Sequence, residues 1–223
     1  MLVLLCCLSA CSPEKPTELP ETLIPVDESI DPDSTTIACI ALNYQYTDLQ
    51  KLLNWIDGGD SLRRAYGLTP HSVFRQIEDT TRVLELLRVD KFARGYEFAN
   101  SADLQKLAET YGFIGQPTVY LLNAVHLMQK TVGATCMLLQ HDVQDFREWR
   151  KGFEKHNAVN DDENIKALCI FNTYKNPTKV SVLMEIKSIE LAKSMVSSPA
   201  TVAMMRGMGA TTDPKMTILE VWR

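Results

Sequence analysis

Few side chains in this sequence could do chemistry, and they stand out against their surroundings. Glu85 sits in an apolar run with Val83, Leu84, Leu86 and Leu87. Strand residues alternate between two faces, and a buried unpaired carboxylate is costly. Glu85 therefore lies either on a solvated strand face, which is the expected placement, or inside a polar pocket. If it is buried, Arg75 on the neighbouring strand is the natural partner, and a carboxylate so held could act as a base. Tyr44 ends the first apolar strand, where its hydroxyl could orient a polar substrate. Glu85, Arg75 and Tyr44 form the candidate catalytic set. His141 and Asn172 are candidates for lining a ligand pocket, although a surface or packing role is the favoured reading of His141.

The remaining histidines carry less. His71 stands beside Pro70 and reads as loop, His126 lies between two halves of the chain, and His156 ends a helix. No pair stands at i, i+4, and the cysteines have no zinc spacing, so neither a metal nor a cofactor is expected. GxSxG, GxGxxG and P-loop runs are absent.

An internal repeat singles out these positions. Val73–Leu122 returns ninety-seven residues later as Ile170–Leu219 without a gap. Cys39, Leu42, Asp48, Phe74, Thr81, Val83 and Leu86 meet identical residues at that offset. So do Ser101, Gly112, Pro117 and Leu122. Elsewhere apolar meets apolar, as in Leu52/Trp149 and Ile56/Phe153. Two copies mean a duplicated domain, not a solenoid. The informative positions are those where the copies differ: Tyr44/His141, Arg75/Asn172 and Glu85/Val182.

Each copy contains the same series of elements. Ile37–Asn43 is a strand, and Asp48 caps a helix that Gly58-Gly59 ends. Asp145-Phe146-Arg147-Glu148 has capping-box form in the second copy. Ser72–Ile77 and Arg82–Val89 are strands joined by a turn at Glu78-Asp79-Thr80. Asp90–Tyr111 is helical with a break near Asn100-Ser101, matched by Ser198-Pro199. Gly112 and Gly209 stop these helices, and Thr118–Leu122 and Lys215–Leu219 are the last strands. Each copy is thus βαββαβ, a ferredoxin-like arrangement. The segments SVFRQIEDTTRVLELLRVDKFARGYEFANSADLQKLAETYG and LCIFNTYKNPTKVSVLMEIKSIELAKSMVSSPATVAMMRGMG resemble the dimeric α+β-barrel superfamily, near its antibiotic-biosynthesis-monooxygenase-like branch. The resemblance implies an α+β fold in which two sheets pack face to face, here as an intramolecular pseudo-dimer. It also implies a pocket between sheet and helices in each half. The Asn, Trp and His of the haem-degrading members do not carry over, because neither second helical region contains a His.

The N-terminal part reads differently. Residues 1–10 are apolar, and Leu8-Ser9-Ala10-Cys11 resembles the lipobox of a bacterial lipoprotein signal peptide, although no Lys or Arg precedes it. That resemblance implies cleavage before Cys11, lipid on its thiol, and anchorage to a bilayer, with the periplasmic side of the outer membrane favoured. Residues 12–36 hold five prolines and seven carboxylates against one lysine. Such a segment cannot bury enough surface to offset its ordering entropy and reads as a disordered tether. The expected domains are a signal peptide (1–10), lipidated Cys11 with its tether (11–36), repeat 1 (37–126) and repeat 2 (127–223).

A net charge of −5 with no basic run argues against nucleic acid as a partner. Two functions remain. The favoured one is an envelope lipoprotein whose duplicated domain binds a small molecule or partner without catalysis, as a monomeric pseudo-dimer with further self-association left open. The other is a cofactor-independent monooxygenase-like or isomerase-like enzyme. Cys39, Cys136 and Cys169 read as small buried hydrophobes in or beside strands.

Overall fold

The computed structural model describes residues 36–127, 134–159 and 164–222. The signal segment, Cys11 and the tether up to residue 35 lie outside the described residues.

Among the described residues, the repeat offset holds for every element except the short helix Asp60–Ala65, which has no separate counterpart in repeat 2. Repeat 1 runs β1 (Ile37–Gln45), α1 (Leu49–Gly58), α2 (Asp60–Ala65), β2 (Leu68–Gln76), β3 (Arg82–Val89), α3 (Phe92–Ala99), α4 (Ala102–Tyr111) and β4 (Thr118–Leu127). Repeat 2 runs β5 (Thr135–Asp142), α5 (Phe146–Val159), β6 (Ile165–Thr173), β7 (Asn176–Ile186), α6 (Ile189–Ser197), α7 (Pro199–Gly207) and β8 (Lys215–Val221). Even an irregularity repeats: the β2·β3 register shifts between Pro70 and Ser72, and the β6·β7 register between Ala167 and Cys169. His71 therefore sits at a bulge within β2, not in a loop.

Local signals explain the boundaries. Asp48 accepts from the Lys51 amide at 3.1 Å, and Asp145 from the Glu148 amide at 2.9 Å. Ser101 and Ser198 cap α4 and α7 through the Leu104 and Thr201 amides. Gly112 leaves α4 in the left-handed conformation at φ 70°, where a side chain would be strained.

The strands close into one antiparallel barrel in the order β1-β3-β2-β8-β5-β7-β6-β4. Within each repeat the order is that of a ferredoxin-like sheet, β4-β1-β3-β2 and β8-β5-β7-β6. The two sheets join at their edges through β2·β8 and β4·β6, and their faces meet across a lumen. Closure leaves no open sheet edge.

Strand alternation then creates three apolar clusters. Ile40, Leu42 and Leu87 point outward to the helices of repeat 1, with Trp55 and Phe98. Met137, Leu139 and Val182 do the same in repeat 2, with Trp149 and Phe153. Cys39, Phe74, Leu86, Cys136, Leu183 and Leu219 form the third cluster, on the sheet faces that meet across the lumen. Cys39, Cys136 and Cys169 are free and buried, and burial pushes the Cys39 and Cys136 thiols up to about 12. They pack as small hydrophobes and are poor nucleophiles.

Gly67, between α2 and β2, tests how closely this frame is built. Its φ is 64°, and a Cβ there would lie 2.2 Å from Asp90 Oδ1. Gly67→Ala is expected to lower unfolding free energy by about 1–3 kcal/mol in denaturant titration. A loss within about 0.5 kcal/mol would mean the turn has room to relax.

Candidate functional site

Repeat 1 holds a buried charged cluster. Glu85, on central strand β3, is 1% exposed. Its carboxylate accepts from Trp55 Nε1 at 2.8 Å, from Arg63 Nη2 at 2.9 Å and from the Tyr44 hydroxyl at 3.2 Å. Arg63 is also 1% exposed. Its Nη2 donates to the Trp55 carbonyl and its Nη1 to the Ile56 carbonyl, both at 3.1 Å. These carbonyls belong to the last turn of α1, and that of Trp55 also accepts from the Gly59 amide at 2.9 Å. A guanidinium there also complements the helix dipole.

The backbone makes this geometry available. Gly59 sits between α1 and α2, and a Cβ on it would come within 2.7 Å of the Trp55 ring. The chain can therefore turn tightly against that ring, and Arg63 folds back to stack over it at 4.3 Å. Phe113 stacks on Tyr44 at 4.4 Å. Burial, followed by the charge of Glu85, raises the Tyr44 hydroxyl well above its ordinary value, so it remains a donor.

Two expectations are corrected here. Glu85 does not face solvent. Strand β3 is buried on both faces, by helices outside and by the lumen inside, so alternation along it does not expose a side. Its partner is Arg63, not Arg75. In register, Glu85 stands opposite Val73, whereas Arg75 stands opposite Glu220 of β8 and forms its ion pair there. Tyr44 and Glu85 do come together as the sequence suggested. Arg63 was missed because Gly58-Gly59 reads as the end of the helical segment, and Trp55 because it stands off the Leu49, Leu52, Leu53 and Ile56 stripe. The signal was present in the repeat, since Trp55 faces Gly152 at the same offset that sets Glu85 against Val182.

Repeat 2 lacks the cluster. Val182 takes the position of Glu85 and is fully buried. Gly152 takes that of Trp55, and a Cβ on it would lie 3.1 Å from Met208 Cγ, so Met208 occupies part of the space. His141, in the place of Tyr44, is buried with its ring 5.3 Å from that of Trp149. His141 and Asn172 stand in one register row on either side of Val180. Both His141 nitrogens, Trp149 Nε1 and Asn172 Oδ1 lack a protein hydrogen-bond partner. Burial lowers the His141 imidazole from 6.5 to about 4, so it is neutral at pH 7.

A large cavity lies on the other face of the sheet, in the lumen. Its volume is about 730 Å³, within the range of ligand pockets. The inner wall is apolar, with Phe74, Leu84, Leu86, Leu138, Phe171 and Leu219. The mouth is polar, with Asn43, Gln76, Gln140, Ser181, Lys179 and Lys215. Ile114 and Tyr120, among the few large apolar side chains left exposed, at 52% and 46%, both line it. Of the sequence candidates, Tyr44 and His141 border this cavity, while Glu85, Arg75 and Asn172 do not. The sequence-based reading placed the pocket between sheet and helices; the large cavity lies between the two sheets.

No protein-family model and no curated protein matches this chain. Solved structures do resemble it. An anthrone oxidase-like protein matches with a TM-score of 0.56 at 10% identity, over 86% of this chain and 93% of its own. A "putative monooxygenase" from Fusobacterium nucleatum matches at 0.55 and 10% identity, over 85% and 94%. Another so titled, from Lactobacillus acidophilus, matches at 0.52 and 10% identity, over 82% and 93%. At this identity the likeness is one of fold: the chain is a tandem α+β barrel of the dimeric α+β-barrel type.

Two outcomes follow from the clusters. Glu85→Val strands the Arg63 guanidinium and should destabilise the protein by about 3–5 kcal/mol, whereas Glu85→Val with Arg63→Met should recover most of that loss. Additive losses would show that the two side chains are not coupled. His141 acts through pH. Its folded value lies below its ordinary one, so its contribution is full above pH 6.5 and is lost as pH falls towards 4. His141→Phe should remove on the order of 2–3 kcal/mol of acid-induced destabilisation across that window. An unchanged pH profile would contradict burial of a neutral imidazole.

Proposed function

We propose that this chain is a binding module that holds a small, apolar-bodied molecule in its barrel lumen without transforming it. The observation that carries this reading is the 730 Å³ lumen, apolar within and polar at its mouth. Such a cavity removes a ligand's hydrocarbon from water, at roughly 25 cal/mol for each Å² buried, while a few polar groups set its orientation.

Catalysis of the monooxygenase-like or isomerase-like kind would need a titratable group open to the substrate. Glu85 points to the helix side and is engaged by three donors. A base must reach the proton it abstracts, and this carboxylate faces away from the cavity, while His141 at its border is buried with its ring packed against helix-side Trp149. Of the acidic groups at the mouth, Asp213 is paired with Arg206 at 2.7 Å and Asp142 stands opposite Lys179 in register. Glu85, Arg63, Trp55 and Tyr44 therefore serve better as an internal brace than as a reaction centre. The Leu8-Ser9-Ala10-Cys11 run supports a lipid anchor at Cys11, which would hold the module at a membrane of the cell envelope.

Native mass spectrometry of the protein purified without denaturation tests the binding reading. One small molecule per chain is expected, released on unfolding and missing from Ala41→Phe, which places a ring in the lumen. Retention that Ala41→Phe leaves unchanged, in a variant with native circular dichroism, would place the ligand elsewhere and overturn the proposal.

A further inference from the structure

We infer that the lumen selects an amphiphile with an anionic head, seated tail-inward with the head at Lys215. This rests on the lumen being the binding site and adds the ligand's class and orientation. The cavity is graded along the barrel axis. Its deep end meets the apolar cluster of Phe74, Leu86, Leu122 and Leu219, with Cys39, Cys136 and Cys169 in the same cluster. None of these can answer a charge, so a charged group there would be stranded. The charge on the ligand must therefore stay at the mouth.

The sign of that charge follows from the rim. Arg82 is already held by Asp79 at 2.9 Å, and Asp213 by Arg206 at 2.7 Å. Asp142 and Lys179 face each other across β5·β7. Lys215 is different, because its partner in the β5·β8 register is the neutral Gln140. Gln140 donates to Ser181 Oγ at 3.2 Å on the β7 side, so its amide is drawn away from β8 and leaves the Lys215 ammonium facing the mouth without a side-chain partner across the pair. A carboxylate or sulfonate seated there meets an ammonium and neighbouring polar groups. A cationic head would meet a rim whose cations, Arg82, Lys179 and Lys215, outnumber its carboxylates, Asp142 and Asp213. Tyr120 and Ile114 offer apolar surface at the lip, where a tail would enter.

A matched pair of fluorescent probes separates this inference from the reading beneath it. 1-Anilinonaphthalene-8-sulfonate carries a sulfonate, and N-phenyl-1-naphthylamine is the same ring system without it. At low ionic strength both should bind once per chain, the sulfonate about fivefold more tightly, as for one exposed ion pair. Lys215→Gln should remove that advantage, leave the neutral probe's affinity unchanged, and have no effect at high salt. Leu138→Trp should abolish binding of both probes, and Thr217→Trp is the second lumen-filling variant if the first does not fold. Equal affinities, or a sulfonate advantage that survives Lys215→Gln, would overturn the anionic class while leaving the lumen as the site. Binding of both probes unaffected by a folded lumen-filling variant would overturn the site and the class together.

Discussion

Everything that this protein can present to a ligand is placed by two strand pairings between its repeats, β2 with β8 and β4 with β6. Without them each half is a four-stranded sheet whose inner face, including Phe74 and Leu86 in one half and Leu183 and Leu219 in the other, would lie open to water. Closure turns those faces towards one another and makes a lumen. The β2·β8 junction is short, and its three register pairs are Phe74–Val221, Arg75–Glu220 and Gln76–Leu219. Arg75 secures it on both counts, through its ion pair with Glu220 and its guanidinium over the Trp222 ring. A charge that seemed available for catalysis is thus spent on closing the barrel.

The two halves solve the same packing problem with different chemistry. Both must fill the space between a central strand pair and the helix that follows β1. Repeat 1 does so with a carboxylate that accepts from a guanidinium, an indole and a phenol. Repeat 2 does so with Val182, Gly152, Met208 and a neutral His141. The replacements go together, as expected for a buried network in which a lone survivor is more costly than an apolar substitute. A buried ion pair of this kind adds little net stability over a hydrophobic equivalent. Its consequence here is positional: it ties the last turn of α1, helix α2 and strand β3 into one unit behind the lumen wall.

Much of the fold was legible in the sequence because turns and caps are local. Asp48, Ser101, Gly112 and Ser198 act within a few residues of their own positions, and the ninety-seven-residue offset carried each reading to the other copy. The site was less legible, because its contacts are distant. Arg63 reaches Glu85 only through a second short helix after Gly59, and Arg75 is drawn to Glu220, 145 residues away, by a pairing between repeats. Alternation along β3 suggested one solvated face, whereas a central barrel strand covered by helices has none. The lumen was hidden for the same reason. Its residues come from all eight strands, and no local pattern shows that their side chains fall short of filling the space between the sheets.

Methyl-resolved NMR during titration with N-phenyl-1-naphthylamine tests the central claim, that the space between the sheets is the binding site. The two faces of each strand report separately. Leu84, Leu138 and Leu219 line the lumen, while Leu42, Leu139 and Val182 face the helices. The account predicts saturable shifts at the first set, with the second set nearly still. Shifts centred on the helix-facing set would contradict it.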